Sequence, residues 1–306
     1  MTTVWTLSSA VKLRRDFGTR TSSNTVKYNQ KTSPESPLPT SPPHHADVAH
    51  YVSVEFPVFE YFVRPCLAEF SGTMIFIVAT CLARTALLPF SDINAASDAH
   101  AIFIIAVVSA AAYGISVAMF GHISGGHFNP AITVGVFFGG GIGFVLHVFY
   151  IISQFFGAFI GALLVRGMLR RASYLAIYGG SIAVDLEHSN KGQAVLCELL
   201  MTMVLVLAVL MVTVDCEGSN PLTAVYLAVA MFVTTFLSLP LTGAGLNPAR
   251  ALCAQAMNSI FGGSDEFWRY HFVYWVGPYI GAFLASVVFR LFFADSPRRL
   301  VFKLER

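Results

Sequence analysis

The sequence predicts an all-α membrane protein with six transmembrane helices plus two re-entrant half-helices, arranged as an inverted three-span repeat. Three observations lead to this fold class. Of the 306 residues, 55% are hydrophobic and 12% are charged, whereas about a quarter are charged in soluble domains. Apolar windows that can cross a hydrocarbon core of about 30 Å occur six times, and similar motifs recur in the same order in both halves. The six windows are residues 66–88, 101–120, 143–164, 192–214, 222–239 and 272–293.

The ends of the chain differ from this apolar region. Residues 1–60 are rich in Ser, Thr and Pro, which predicts a disordered cytoplasmic N-terminal tail. A membrane domain over 61–294 and a cytoplasmic C-terminal tail over 295–306 follow. Both tails are basic, and Lys and Arg collect on the cytoplasmic side of membranes. Four basic residues after the third window oppose this orientation: Arg166, Arg170, Arg171 and Lys191. We expect the plasma membrane, with an organelle as the alternative.

The two halves of the membrane domain repeat one design. The stretch AEFSGTMIFIV at 68–78 is similar to CELLMTMVLVL at 197–207. HFNPA is likewise similar to GLNPA, and GAFIGA to GPYIGA. The repeats therefore cover about 66–166 and about 192–293. Because each contains three spans, an odd number, the second must be inserted upside down, and inverted repeats of this kind are typical of transport proteins with a site near the bilayer midplane.

Each repeat contains one Asn-Pro-Ala motif before an apolar stretch too short to cross the membrane: Asn129, Pro130 and Ala131 in the first, and Asn247, Pro248 and Ala249 in the second. Asn is a good helix N-cap, and Pro fits the first helical position. The motifs therefore predict two half-helices that meet head to head, each with a positive dipole end of about half a charge. The Asn amide donors would face a passing water or hydroxyl and disfavour cations.

These motifs resemble the major intrinsic protein family, the aquaporins. The resemblance covers about 66–293 and rests on SGGHFNPA and TGAGLNPAR inside the doubled pattern. It implies one pore per subunit and a homotetramer. It also implies a selectivity filter of Ser109, Thr235, Ala244 and Arg250, although a register shift of one residue would substitute Ala110 for Ser109. A fixed arginine there would supply donors to solutes and a barrier to protons and cations.

Three further polar residues are expected to support the pore. Glu69 and Glu198 hold equivalent places in otherwise apolar helices, and in the family such glutamates accept hydrogen bonds from the re-entrant loops. His127 precedes the first motif and resembles the family's loop histidine. Gln154 is expected to pair with neighbouring helices rather than with solute.

The predicted function is a passive channel for water that leaks small neutral solutes and excludes protons and ions. Water-selective members of the family carry Phe and His where this chain has the smaller Ser109 and Thr235. The alternative is therefore a broad facilitator of glycerol, urea, ammonia or hydrogen peroxide. Ala251 favours water, because glycerol-conducting members have Asp after the filter arginine.

Other classes of function fit the sequence less well. No nucleophile, base and orienting acid are grouped as an enzyme requires, no basic stripe indicates nucleic acid, and an ion-coupled transporter would need an acidic or carbonyl-rich cation site at the break. A junction or adhesion protein with a closed pore remains compatible with every motif. The five cysteines lack metal-binding spacing, so we expect neither a cofactor nor a metal.

Overall fold

A computed structural model of the chain describes residues 58–87, 99–215 and 220–301. Within these ranges six helical segments are long and apolar enough to cross a membrane, which confirms the predicted fold class. Most of the predicted N-terminal tail, the end of the C-terminal tail and Cys216 lie outside the described residues. The six segments are Phe59–Ala86, Ala99–Ser124, Phe144–Met168, Lys191–Val214, Thr223–Thr242 and Asp265–Phe293.

The α-helices are numbered in chain order within the described ranges. Five-residue π-helical turns precede α1 and extend α6 and α9, and a 3₁₀ turn, Ala83–Leu87, extends α1. The helices are α1 Arg64–Leu82, α2 Ala99–Ser124, α3 Pro130–Gly139, α4 Phe144–Met168, α5 Arg171–Ala176, α6 Lys191–Val209, α7 Thr223–Thr242, α8 Pro248–Ile260 and α9 Val273–Val288.

The two short helices α3 and α8 are the predicted half-helices. They contain 10 and 13 residues, which at a rise of 1.5 Å per residue gives lengths of about 15 and 20 Å. Neither can cross a core of about 30 Å. Helix α3 ends at Gly140, whose φ of 82° is left-handed, the usual role of glycine at a helix C-terminus.

The helices pack with the symmetry that the sequence repeat predicts. Helix α1 packs against α2 and α4, and α6 packs in the same way against α7 and α9. The two repeats meet where α2 packs against α7. Each half-helix also crosses into the other repeat, since α3 packs against α9 and α8 against α4. The half-helices are therefore held by both repeats rather than by their own alone.

Small residues allow the closest helix approaches. A Cβ on Gly161 of α4 would lie 2.8 Å from the carbonyl oxygen of Met74 in α1, and one on Gly157 would overlap the carbonyl of Phe70. The second repeat copies this contact, because Gly281 of α9 lies against the carbonyl of Leu199 in α6. Gly157 and Gly161 stand four residues apart on α4, and in lipid small residues at this spacing let helix backbones approach closely.

Candidate functional site

The two Asn-Pro-Ala motifs begin the half-helices as predicted. Asn129 and Asn247 have extended backbones, with φ of −158° and −144°. The Oδ1 of Asn129 accepts from the N–H of Ala131 at 2.8 Å, and the Oδ1 of Asn247 accepts from the N–H of Ala249 at 3.0 Å. Pro130 and Pro248 hold the first helical positions. An N-cap of this type contributes about 1 kcal/mol to helix stability.

The amide groups of the two asparagines cross from one loop to the other. The Nδ2 of Asn129 donates to the carbonyl of Leu246 at 2.8 Å, and the Nδ2 of Asn247 donates to the carbonyl of Phe128 at 2.9 Å. The sequence predicted donors aimed at a solute and did not predict this reciprocal bond. Since each amide nitrogen carries two hydrogens, one donor of each asparagine remains beyond it. These two hydrogen bonds hold the N-termini of the two half-helices together.

Both loops reach this meeting point through left-handed backbone. In the first loop Gly125, Gly126 and Phe128 have φ of 92°, 72° and 48°. In the second loop Gly243, Ala244 and Leu246 have φ of 72°, 57° and 52°. Residues other than glycine rarely adopt these angles and are held there only by their surroundings. The loops therefore need strong partners from the transmembrane helices.

Two buried glutamates are those partners. Glu198 accepts from the N–H groups of Gly245 at 2.9 Å and Leu246 at 2.6 Å, and Thr242 donates its hydroxyl to the same carboxylate. Both glutamates are fully buried. A carboxylate that accepts several backbone N–H groups satisfies donors that no helix bond can reach.

Glu69 holds the first loop in the same way. It accepts from the N–H groups of His127 at 3.0 Å and Phe128 at 2.7 Å, and from the hydroxyl of Ser124 at 2.6 Å. The Nε2 of Gln154 also lies 2.7 Å from Glu69, which agrees with the pairing expected for that glutamine.

His127 is buried and supports the first half-helix. Its Nδ1 lies 3.1 Å from the hydroxyl of Thr133, in the first turn of α3, and its ring packs edge-on against Tyr150. The hydroxyl of Thr133 also accepts a hydrogen bond from the Nε2 of Gln154 at 2.7 Å. The histidine therefore belongs to a polar network that joins α1, α3 and α4.

A small cavity lies beside the second loop, and the four predicted filter residues all line it. Ser109 rather than Ala110 lines it. The hydroxyl of Ser109 donates to the carbonyl of Ile105, and that of Thr235 contacts the sulfur of Met231. Residues that sequence reasoning missed also line the cavity, among them Phe76 and Met231.

Arg250 is the charged group of this cavity. Only 4% of the residue is exposed, and its backbone N–H lies 3.3 Å from the Oδ1 of Asn247. Its Nη1 is buried and has no hydrogen-bond partner in the described part of the chain. A guanidinium with a free donor beside a cavity can bind a passing oxygen atom and opposes the entry of cations.

The segment between α5 and α6 covers the same side of the molecule. Ile182 packs against Gly243. A Cβ atom placed on Gly243 would lie only 3.0 Å from the Cβ of Ile182. The backbone N–H of Asp185 donates to the carbonyl of Leu241 at 2.9 Å. This segment therefore packs against the loop that contains Ala244 and stabilises it.

An inverted repeat of transmembrane helices with two half-helices that meet at asparagine caps defines a membrane channel. The model of one family, the major intrinsic proteins, matches residues 58–289. Aquaporin-8 of Rattus norvegicus is 31% identical over 245 residues, which are 80% of this chain and 87% of that protein. Aquaporin-2 of the same species is 33% identical over 78% of this chain and 82% of its own length.

A solved structure shows the same fold. The aquaglyceroporin from Plasmodium falciparum superposes with a TM-score of 0.63 over 74% of this chain and 95% of its own, at 21% identity. With the family match, this settles the classification. The chain belongs to the major intrinsic protein family and is an integral, multi-pass membrane channel of the aquaporin type. The family is one of channels and not of enzymes.

Proposed function

We propose that the protein is a water channel that also leaks small neutral solutes and excludes protons and ions. The observation that carries this proposal is the cavity at Arg250, whose walls combine one fixed cation with the small side chains of Ser109, Thr235 and Ala244. Pore width and lining donors set selectivity in channels of this kind. Without an aromatic ring at Ser109 or Thr235, the constriction admits solutes larger than water.

Two further wall residues limit this width. Phe76 and Met231 line the same cavity, and both are buried. The ring of Phe76 is held edge-on against Tyr113, with centroids 6.1 Å apart. Because a large ring remains in the wall, the protein is a water channel with a solute leak rather than an open pore.

Ions and protons are excluded by the centre of the molecule. Two helix N-termini, each worth about half a positive charge, meet at Asn129 and Asn247. Arg250 adds a full positive charge close to the second of them. Cations therefore meet a barrier, and a water that accepts from the asparagine amides turns its hydrogens away from its neighbour in the file.

We also propose a homotetramer in the plasma membrane, with both termini in the cytoplasm. Relatives named aquaporins support a pore in each subunit, and the basic tails support the orientation. Exposed apolar side chains on α6 and α7, such as Leu200, Val225 and Phe236, are available to lipid or to a neighbouring subunit.

The variant Ser109→Phe tests the proposal, because it restores a ring at the constriction. Proteoliposomes of wild type should shrink quickly in an impermeant osmolyte and then take up urea and glycerol. Ser109→Phe should keep water flow and lose solute uptake to the level of empty vesicles. Stopped-flow light scattering measures both rates.

Val107→Phe is the matched control. It adds the same ring on the same helix at a residue that is 41% exposed and does not line the cavity, so both rates should stay at the wild-type level. Solute uptake that persists in Ser109→Phe would show that this residue does not set the width. A wild type without water flow would contradict the channel itself.

The alternative is a broad small-solute facilitator. The same three small side chains favour it, and it predicts that urea and glycerol cross wild-type vesicles nearly as fast as water. The two candidates therefore differ in the ratio of solute to water permeability of the wild type.

A further inference from the structure

A second arginine lies behind the candidate filter, and neither the family resemblance nor the cavity lining identifies it. Arg84 stands in the 3₁₀ turn that ends the first transmembrane segment. Its Nη2 donates to the carbonyl of Gly243 at 3.1 Å, across 159 positions of the chain. Gly243 lines the cavity with Arg250 and directly precedes Ala244.

A half-buried guanidinium near the end of a transmembrane segment needs a reason. Ionisable groups inside membrane segments are costly and mark functional sites. The Nε of Arg84 is buried without a hydrogen-bond partner among the described residues. Ion pairs in residues 58–87, 99–215 and 220–301 involve Arg64, His188 and Arg298, so no carboxylate there forms an ion pair with Arg84. Arg250 lies close enough to Arg84 for the two positive charges to repel each other.

The inverted repeat provides an internal comparison. The offset that relates Glu69 to Glu198 relates Arg84 to Thr213. Thr213 donates its hydroxyl to the carbonyl of Val209 within its own helix. The first loop nevertheless adopts the same left-handed backbone as the second. A guanidinium is therefore not required to fold such a loop, and Arg84 serves only the loop beside the filter.

We infer that Arg84 is a specificity-determining positioning residue, which holds the Gly243 carbonyl away from solute and fixes Ala244 in the cavity wall. This inference rests on the proposed function. Gly243 has a φ of 72° and Ala244 a φ of 57°, conformations that Ala244 keeps only if its neighbours hold it. When the bond is lost, the Gly243 carbonyl becomes an acceptor for the N–H donors of urea, and the wall loosens.

The test is the ratio of urea to water permeability in proteoliposomes, since this ratio does not depend on how much protein each vesicle holds. Arg84→Met removes the charge and the donors at similar length, and should raise the ratio on the order of tenfold, the effect of one charge-assisted hydrogen bond on a barrier. Arg84→Lys keeps a charge and a donor and should stay near wild type.

Arg64→Met is the matched control at the other end of α1. Arg64 is exposed and pairs with Glu60 at 2.6 Å, far along the helix from the filter, so its loss should leave the ratio unchanged. If Arg84→Met does not yield folded protein, Gly243→Ala carries the test. Its Cβ would stand 3.0 Å from the Cβ of Ile182 and 3.3 Å from the Nη2 of Arg84, on left-handed backbone, and should raise the ratio by moving the Gly243 carbonyl away from the guanidinium.

The outcomes separate this inference from the proposed function. A wild type that passes neither water nor urea faster than empty vesicles refutes the channel. A wild type that conducts, with Arg84→Met at the wild-type ratio, refutes the role of Arg84 alone. Equal change in Arg84→Met and Arg84→Lys would also refute it, because a retained charge and donor would then have no effect.

Discussion

At the scale of single residues, the site depends on buried carboxylates that accept from backbone. Both oxygens of Glu198 are occupied, one by Gly245 and Thr242 and the other by Leu246. The second loop therefore depends on both oxygens of this side chain. A change that replaces one oxygen by a donor places two donors face to face in the protein interior.

Glu198→Gln is predicted to destabilise the folded channel. Its amide would leave at least one buried N–H without an acceptor, at a cost of about 1–3 kcal/mol. Thermal unfolding of the detergent-solubilised protein, followed by size-exclusion chromatography after heating, should show a lower midpoint. Glu187→Gln, an exposed change in the segment before α6, should leave the midpoint unaltered. A Glu198→Gln midpoint equal to that of wild type would show that the second loop keeps its conformation without the carboxylate.

The sequence predicted the local part of this site and not the rest. The caps at Asn129 and Asn247 follow from residue type and from the Pro that comes next, so they are readable from a few neighbouring letters. The bonds of each asparagine to the opposite loop join residues 117 and 119 positions apart. No local pattern indicates such contacts. Phe76 and Arg84 were missed for the same reason. In the sequence Phe76 is one of many apolar residues of a span, and Arg84 is a charged residue of the kind that commonly ends a transmembrane helix.

At the scale of elements, glycines decide how closely the transmembrane helices pack. Gly157 in α4 contacts the backbone of Phe70 in α1, one residue after Glu69. A shift of α1 at this point would also move Glu69 away from the first loop. The spacing of small residues therefore positions the site as well as the bundle.

Gly157→Ala is predicted to reduce the yield of folded protein and to lower its thermal midpoint. The new methyl group would overlap the carbonyl of Phe70, and overpacking of this kind costs about 1–3 kcal/mol. Gly167→Ala, in the same helix with open space around it, provides the control and should match wild type. Equal midpoints for the two variants would contradict the close packing of α1 and α4.

The transmembrane elements were predicted well because their signal is length and composition. The first and sixth spans differ in detail, since the sequence indicated 66–88 and 272–293 and the structure has Phe59–Ala86 and Asp265–Phe293. In the first span the reason is visible. Glu60 and Arg64 interrupt the apolar window, yet they form an i, i+4 ion pair at 2.6 Å on an exposed face. Pro65 lies in the first turn of α1, directly after the π-helical turn Phe59–Val63. The helix therefore begins before the window does.

At the scale of the whole molecule, two repeats of opposite orientation form one path. Each half-helix packs against a helix of the other repeat, and each asparagine bonds to the other loop. Both repeats therefore contribute residues to the meeting point of the half-helices, and neither repeat alone contains all of it. This arrangement places a polar constriction in an apolar molecule.

We propose that this constriction passes water and small neutral solutes and excludes charge. The most direct test is stopped-flow measurement on wild-type proteoliposomes, with light scattering for water and urea and an enclosed pH dye for protons. We expect fast water flow, slower urea uptake above that of empty vesicles, and no added proton flux. Water flow no faster than in empty vesicles, or a proton flux that rises with the protein content, would contradict it.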